Sequence, residues 1–278
     1  MKTRFTHIII ILLLALWQQG NAQDSIALKS NSNFKFQQFI PGDYIYLNVD
    51  ILDNIYLITT GNQLKKLRNN GDSLVVFNDV KKYGNPSYID VSNPLKILVY
   101  YKNYSTVVIL DRLLTLRNTI NFRKQNIFSV KAIGTSYDNN IWLFDEQDNK
   151  LKKIDDDGNL LQESTDMRLL VDSVPTPTQI TDADNLVILY DEQKGFYIFD
   201  RYGAYKNNLP FLHWQNAAVS GNKIYGFAEN NLFSYEINSL SLKKYQLPSF
   251  INNYQAIKAM NGKLYLLKPG GVEIYTVL

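Results

Sequence analysis

The most conspicuous candidate for chemistry is the acidic run DDDGN at residues 155–159, which is similar to the start of a calcium-binding loop. An EF-hand loop needs oxygen ligands at its first, third and fifth positions, glycine at the sixth and a carboxylate at the twelfth. Counted from Asp155, the twelfth position is the carboxylate Asp166, but the sixth is Leu160, so the glycine that the loop requires at its sharp turn is missing. We therefore interpret 155–159 as a hairpin turn, in which Gly158 supplies a positive φ and the acidic residues cap the turn.

A second candidate is the tripeptide DEQ, which occurs at 145–147 and again at 191–193. Paired carboxylates can act as general acid and general base when a pocket holds them at a suitable separation. The candidates for an acidic rim site are Asp145, Glu146, Asp191 and Glu192. The alternative interpretation, which we favour, is that both copies are solvated hairpin tips of a repeated sequence, since general acid–base catalysis also needs a shaped pocket.

Histidine and cysteine, which often carry chemistry, are nearly absent. His213 is the only histidine after His7, and a single imidazole cannot form a histidine-rich metal site. The absence of cysteine excludes disulfides, cysteine-ligated metals and a thiol nucleophile. No glycine-rich phosphate loop or nucleophile elbow is present. The sequence therefore predicts no catalytic residue, no cofactor and no metal.

The elements that must position these residues are given by an internal repeat. Six apolar segments, each followed within about ten residues by a second apolar run, are anchored at Ile55, Ile97, Ile141, Leu186, Ile224 and Leu264. The intervals between these anchors are 42, 44, 45, 38 and 40 residues. The runs are rich in β-branched and aromatic residues and are separated by polar or glycine-containing turns, as strands and hairpins require.

Four short antiparallel strands repeated about every 40 residues are typical of a β-propeller blade. The sequence therefore predicts an all-β, six-bladed β-propeller of four-stranded antiparallel blades. The last copy lacks an outer strand, and the segment 32–39 provides one spare strand, which would complete the last blade and close the ring. The predicted blades lie at about 43–80, 86–123, 127–165, 175–210, 215–248 and 254–278, plus the strand 32–39.

The blade pattern resembles exported six-bladed propellers of the NHL and YVTN type. The resemblance is carried by segments such as IYLITTGNQLKKLRNNGDSL and IWLFDEQDNKLKKIDDDGNLL, and the repeat covers nearly all of the chain after its first residues. Propellers of this kind include lyases, glycan or peptide binders and assembly scaffolds, so the resemblance implies an architecture and leaves the function open.

The first residues predict export. Lys2 and Arg4 precede an apolar run from Ile8 to Trp17 and a small-residue segment ending at Ala22, which is the succession of a secretory signal peptide. We expect residues 1–22 to be removed and 23–278 to form a single propeller domain without a transmembrane segment. Export without disulfides favours a bacterial periplasm, the outer membrane or the cell surface.

Binding is expected on the rim that carries the connections between blades, because loops on rigid frames carry function. These connections are aromatic and basic, as protein interfaces often are. The candidate partner-binding residues are Tyr83, Arg123, Lys124, Arg168, Phe211, His213, Trp214, Phe250 and Tyr254. Packing of the aromatic residues between blades is the alternative role for them.

The favoured function is a non-catalytic interaction platform, or accessory subunit, of a bacterial cell-envelope assembly associated with the outer membrane. Its partners would be envelope or outer-membrane proteins and not nucleic acid, since the sequence gives no sign of Lys and Arg clustered on one face. Two alternatives stay open. One is a lyase or hydrolase using the DEQ carboxylates and His213, and the other is a glycan- or peptide-binding module using aromatic residues such as Trp214.

Overall fold

A computed structural model describes residues 34–277, so the predicted signal peptide lies outside the described residues. This part of the chain forms six four-stranded antiparallel sheets arranged as the blades of a ring. The predicted six-bladed architecture is therefore confirmed. Among residues 34–277, no helix has the length and apolar character that crossing a membrane requires.

The first three blades follow one another along the chain. Blade 1 contains β2 (Tyr44–Val49), β3 (Ile55–Thr59), β4 (Leu64–Leu67) and β5 (Ser73–Phe77). Blade 2 contains β6 (Tyr88–Asn93), β7 (Lys96–Tyr101), β8 (Thr106–Asp111) and β9 (Leu116–Asn121). Blade 3 contains β10 (Val130–Thr135), β11 (Ile141–Asp145), β12 (Lys150–Ile154) and β13 (Leu160–Glu163).

The second half of the chain repeats this arrangement. Blade 4 contains β14 (Gln179–Ala183), β15 (Leu186–Asp191), β16 (Gly195–Asp200) and β17 (Tyr205–Leu209). Blade 5 contains β18 (Gln215–Ser220), β19 (Lys223–Ala228), β20 (Asn231–Glu236) and β21 (Ser241–Gln246). Blade 6 contains β22 (Ala256–Met260), β23 (Lys263–Lys268), β24 (Gly271–Val277) and, from the other end of the chain, β1 (Phe34–Pro41).

Short helical segments occur where the chain passes over one face of the ring. The helix α1 spans Val80–Tyr83 in the connection between blades 1 and 2. Within residues 34–277, three 3-10 helices span Lys102–Tyr104, Phe122–Gln125 and Met167–Leu169. These segments lie at the ends of strands and leave the sheets uninterrupted.

The ring is closed by the predicted strand exchange. Strand β1 pairs antiparallel with β24 from Phe34↔Val277 to Pro41↔Gly271, with one irregularity between Phe36 and Gln38. The chain thus uses its first described strand to cover the free edge of its last one, which removes two edges that could pair with other chains. This clasp confirms the predicted pairing of spare strand and incomplete blade.

The middle strands read as continuous apolar runs because both faces of each blade are covered. Strand β7, with the sequence KILVYY, is buried along its whole length. Its residues Ile97 and Val99 pack toward blade 1, whereas Leu98 and Tyr100 pack toward blade 3. Alternate residues therefore enter different clusters, and the polar half of an ordinary amphipathic strand is missing.

Six apolar clusters hold the blades together, one between each neighbouring pair, including blades 6 and 1. Polar contacts supplement them. Trp142 of blade 3 donates its indole N–H to Asp182 of blade 4 at 2.9 Å. Lys263 of blade 6 pairs with Asp53 of blade 1 at 2.8 Å, across the position where the ring closes.

The clasp can be tested at Gly271, where the backbone of β1 comes close. A Cβ at Gly271 would lie 2.3 Å from the carbonyl oxygen of Ile40 and 2.8 Å from the Phe39 ring. The neighbouring Gly270 also has a positive φ, but a Cβ there would meet nothing within 4 Å. We expect Gly271→Ala to lower the free energy of unfolding by about 2–4 kcal/mol, because β1 must move away from β24.

The matched control is Gly270→Ala, which should cost only about 1–2 kcal/mol for its left-handed backbone. Urea denaturation of both variants measures the difference. Equal losses in the two variants would show that β1 is not held against Gly271.

Candidate functional site

The ring has two faces with different loops. One face, which we name the connection rim, carries the connections between blades and the turns between the second and third strands of each blade. Backbone hydrogen bonds join these loops, such as Glu146 N–H to Ser129 O at 2.8 Å and His213 N–H to Glu192 O at 2.8 Å. The opposite face, which we name the turn face, carries the other hairpin turns.

Asp145, the first residue of the first DEQ copy, is buried and serves the structure of its own blade. Its carboxylate accepts a hydrogen bond from the Gln147 N–H at 3.0 Å and pairs with the Lys152 ammonium at 2.8 Å. Lys152 also contacts Asp148. Burial disfavours the charged amine, but the hydrogen bonds that Lys152 donates to these two carboxylates outweigh the effect of burial and raise the pKa of Lys152. Asp145 therefore neutralises a buried cation.

Asp191, the equivalent residue in the second copy, is also buried. It accepts hydrogen bonds from the Thr176 N–H at 2.7 Å, the Thr176 hydroxyl at 3.2 Å and the Gln193 N–H at 2.9 Å. Asp145 and Asp191 thus each cap the turn that follows them. Their carboxylates are occupied by protein groups, and neither is presented to solvent as a free acid or base.

The glutamates of the two copies differ from each other. Glu146 is half-buried and accepts from Lys131 at 2.9 Å and from the Ser129 hydroxyl at 2.8 Å. The bond from Lys131 lowers the pKa of Glu146, burial opposes the shift, and the Ser129 bond supports it. Glu192 is exposed on the rim. The structure therefore does not assemble the four carboxylates into one polar pocket.

The acidic run 155–159 is the turn between β12 and β13, on the turn face. Asp155 accepts from the N–H groups of Asp157 at 3.0 Å and Asn159 at 2.8 Å, and Gly158 has a φ of 88°. The same pattern of acceptance occurs at Asp111 and Asp200 in the neighbouring blades. Within residues 34–277, no group of three or more His, Cys, Asp or Glu side chains could hold a metal ion.

Two of the nine residues expected to contact a partner on the connection rim, Tyr83 and Trp214, are buried between blades. Tyr83 packs against Tyr101, with ring centroids 5.2 Å apart, and its hydroxyl lies 3.2 Å from that of Thr119. Trp214 is stacked on Phe211 at 4.8 Å and on Phe233 at 5.4 Å. The physical reason is that apolar rings in the connections fill the space between blades.

The remaining candidates are more accessible. Phe211 and Tyr254 are half-buried, whereas Arg123, Lys124, Arg168, His213 and Phe250 are exposed. Arg168 is engaged with the neighbouring Asp166, to which it donates several hydrogen bonds. Arg123 and Lys124 have no ion-pair partner within the described part of the chain.

The fold also brings Arg123 and Lys124 together with three lysines that were not among the candidates from the sequence. Three segments of the connection rim, 80–84, 102–105 and 122–128, carry only basic charges, with Asp79 directly before the first segment and Glu146 near Lys102. Five exposed cations lie on them, and we name this group the basic sector: Lys81, Lys82, Lys102, Arg123 and Lys124. Tyr104 and Phe128, also exposed, add aromatic surface to it.

The three segments of the basic sector touch one another. The Phe122 N–H donates to the Ser105 carbonyl at 2.8 Å, and the Asn121 amide donates to the Tyr104 carbonyl at 3.3 Å. On the other side, a Cβ on Gly84 would lie 3.1 Å from the Tyr104 ring. The sector is therefore one continuous surface that spans blade 2 and its two flanking connections.

This ring of blades defines the protein as a six-bladed β-propeller. Solved structures similar to it include a streptogramin B lyase, at 17% identity over 84% of this chain and 79% of that one, with a TM-score of 0.59. A virginiamycin B lyase from Staphylococcus aureus shares 14% identity over 88% and 89%, with a TM-score of 0.58. The WD40 domain of Pan2 from Neurospora crassa shares 7% over 90% and 97%, with a TM-score of 0.64.

At such identities these likenesses show the fold alone. No protein-family model matches the chain, and no curated protein matches it either. The function of this chain therefore has to follow from its own residues.

The structural role of Asp145 and Asp191 can be tested by comparing variants at these positions with a variant at the exposed Glu192. Asp145→Asn should lower the free energy of unfolding by about 2–4 kcal/mol, because it weakens the neutralisation of the buried Lys152. Asp191→Ala should lower it by about 1–3 kcal/mol, because the N–H groups of Thr176 and Gln193 lose their acceptor. Glu192→Ala, the control, should stay within about 0.5 kcal/mol.

Urea denaturation followed by circular dichroism measures all three variants. If Asp145→Asn and Asp191→Ala were as stable as Glu192→Ala, the two aspartates would not be structural, and a catalytic role for them would regain support.

Proposed function

We propose that this propeller is a non-catalytic interaction platform of a bacterial cell envelope, and that its basic sector binds an acidic protein surface. The observation that carries the proposal is the continuous group of five exposed cations, which outnumber the two acidic residues beside them, Asp79 and Glu146. An acidic partner would find a complementary potential there, which accelerates association and fixes the orientation of the complex.

The aromatic residues of the sector support a protein partner. Phe128 and Tyr104 are each more than half exposed, at 52% and 53%. Interfaces are enriched in aromatic residues and arginine, and these residues dominate the binding energy when a partner desolvates them. Arg123 and Lys124 lie on the same 3-10 helix, within a few residues of Phe128. The sector thus combines charges for association with rings for burial.

Export to the envelope is supported by the sequence. A charged start, a short apolar run and small residues precede the propeller, and the chain has no cysteine. We place the protein in the periplasm or at the outer membrane, with the NHL and YVTN type of propeller as its class. The partner would be another protein of that envelope.

An enzyme of the lyase or hydrolase kind is less well supported. The carboxylates of Asp145 and Asp191 are occupied by structural hydrogen bonds. His213 is exposed, and its backbone N–H donates to the Glu192 carbonyl. A glycan-binding role for Trp214 is also less well supported, since its ring is buried between neighbouring aromatic rings.

The proposal is tested by reversing charge in the basic sector. The double variant Arg123→Glu, Lys124→Glu should capture its envelope partner at least about tenfold less well than the unchanged protein, since like charges would now oppose the acidic surface. Capture by the unchanged protein should also weaken between 50 and 300 mM salt, because exposed charges are screened. Affinity purification from solubilised envelopes, with quantitative mass spectrometry, measures both effects.

The matched control reverses two exposed lysines on the outer strands of blades 4 and 5, Lys206→Glu and Lys243→Glu. It changes the net charge equally and should leave capture unchanged. Equal loss in both double variants would overturn the assignment to the basic sector. Binding of the purified protein to DNA or to anionic vesicles, abolished by the sector variant, with no protein partner recovered, would overturn the choice of partner.

A further inference from the structure

The middle of the ring contains a channel with two connected spaces. A cavity of about 610 Å³ lies at the turn face and is lined by the ends of the inner strands, among them Ile51, Ser92, Ala183 and Asn261. A smaller space of about 120 Å³ is lined by residues that lie earlier in the same strands, so it is deeper in the ring. Both are bounded by Val49, Val91, Ala218, Ala259 and Met260, among others, and therefore adjoin.

The outer part of the channel is largely apolar. Its shared wall consists of small and apolar side chains such as Val49, Val91, Val219 and Met260. The space also extends between blades 5 and 6, where it reaches Phe227 and Leu232. Its size is within the range of about 300–1,000 Å³ that small-molecule sites occupy.

The inner space contains one charged group without a partner. Lys258, on the inner strand β22, lines this space together with Asp90. Within residues 34–277, the Lys258 ammonium forms no hydrogen bond and no ion pair. Asp90, by contrast, accepts from the Ser92 N–H at 2.8 Å and from the Thr135 N–H.

The other charged residues of the channel wall are all engaged. Asp50 accepts from Asn54 and from the Tyr56 hydroxyl, at 2.8 and 3.0 Å. Asp182 accepts from Trp142, and Lys263 is paired with Asp53. Lys258 therefore stands apart from the other charges, all of which satisfy neighbouring protein groups.

A partly buried ammonium without a partner costs stability, because it loses hydration and gains no counter-charge. A methionine or leucine at position 258 would fill the same space at lower cost. Residues that lower the stability of a protein are often ones that a binding site requires. The anion nearest to Lys258 in this wall, Asp90, accepts from the Ser92 and Thr135 N–H groups and forms no ion pair with the ammonium, so a direct counter-charge would come from a ligand.

We propose that the central channel binds a small molecule with one anionic group and an apolar body, the anionic group lying at the Lys258 ammonium and the apolar body along the outer wall. An anion there would form charge-assisted hydrogen bonds with the three N–H donors of Lys258. The apolar body would bury the surfaces of the valines, alanines and Met260. The site is at the turn face, opposite the basic sector, so both could be occupied together.

The protonation states of Lys258 and of two nearby tyrosines support this assignment. Burial lowers the pKa of Lys258 to about 8, and Asp90 opposes that shift. Burial also raises the pKa of Tyr46 and of Tyr88, so both phenols stay neutral. The inner strands β14 and β18 contribute only neutral side chains to this space. Near pH 7 most Lys258 side chains are therefore charged and able to attract an anion.

The test uses decanoate, which has one carboxylate and an apolar chain, with 1-decanol and inorganic phosphate as probes that each have only one of the two features. Isothermal titration calorimetry on the full propeller should detect decanoate binding. In Lys258→Met that binding should weaken at least about tenfold, whereas binding of 1-decanol should change less than about threefold. Phosphate should neither bind measurably nor displace decanoate.

Two further variants make the result specific. Lys206→Met removes one exposed lysine on the outer strand β17 and should leave decanoate binding unchanged. In the unchanged protein, decanoate affinity should fall above pH 8 by up to about tenfold per pH unit as Lys258 loses its proton. Lys258→Arg should bind decanoate without that fall, because a guanidinium keeps its charge.

Thermal unfolding shows whether each variant is folded. The midpoint of Lys258→Met should equal or exceed that of the unchanged protein, since an unpaired charge has been removed. The proposal is overturned if decanoate does not bind, if Lys258→Met binds it as well as the unchanged protein, or if phosphate binds equally well. A lower unfolding midpoint in Lys258→Met would also overturn it, because the ammonium would then have a structural partner.

Discussion

The pairing of β1 with β24 is the constraint on which the rest of the structure depends. A row of blades has two free edges, and every inner strand is positioned by neighbours on both sides. When β1 covers β24, blade 6 becomes complete and can pack against blade 1, where Leu47, Leu57 and Leu67 meet Tyr265 and Leu267. Without that contact there would be no ring and no central channel, and the connection rim would not be a single surface.

Closure also explains why so many polar residues serve structure. Each blade is buried on both faces, so any charged side chain between blades needs a partner from the protein. Asp145 and Asp191 cap turns, and Asp145 also neutralises Lys152. Asp182 and Asp53 each accept a hydrogen bond from a side chain of the preceding blade. Function is therefore expected where charges are not used in this way. Two such places are the basic sector on one face and Lys258 in the channel.

The architecture could be predicted from the sequence because the strands repeat with a period of about 40 residues. The last copy also lacks one strand, and one spare strand precedes the first copy. The solvent exposure of the rim residues could not be predicted in this way. Trp214 belongs to a connection, but Gly226 leaves room for its ring, since a Cβ there would lie 2.6 Å from it. Whether an aromatic residue in a loop points inward depends on space in the next strand, which a linear pattern does not record.

The same limit applies to charge. Lys81, Lys102 and Arg123 are spread over more than forty residues of sequence and become neighbours only because the connections and turns of blade 2 share a rim. Lys258 lies in AIKAM, which reads as an ordinary half-exposed strand, and ring closure alone places it in a channel. Repeat period predicts strands well, whereas the surfaces made by distant strands require the three-dimensional arrangement.

The central claim, that the connection rim near blade 2 contacts a protein partner, is tested most directly by photo-cross-linking in intact cells. A photoreactive phenylalanine analogue is placed at Phe128 on the connection rim or at Tyr202 on the turn face, both of which are exposed. The account predicts one discrete protein adduct from position 128 and none of comparable yield from position 202. No adduct at 128, or the same adduct from both positions, would contradict it.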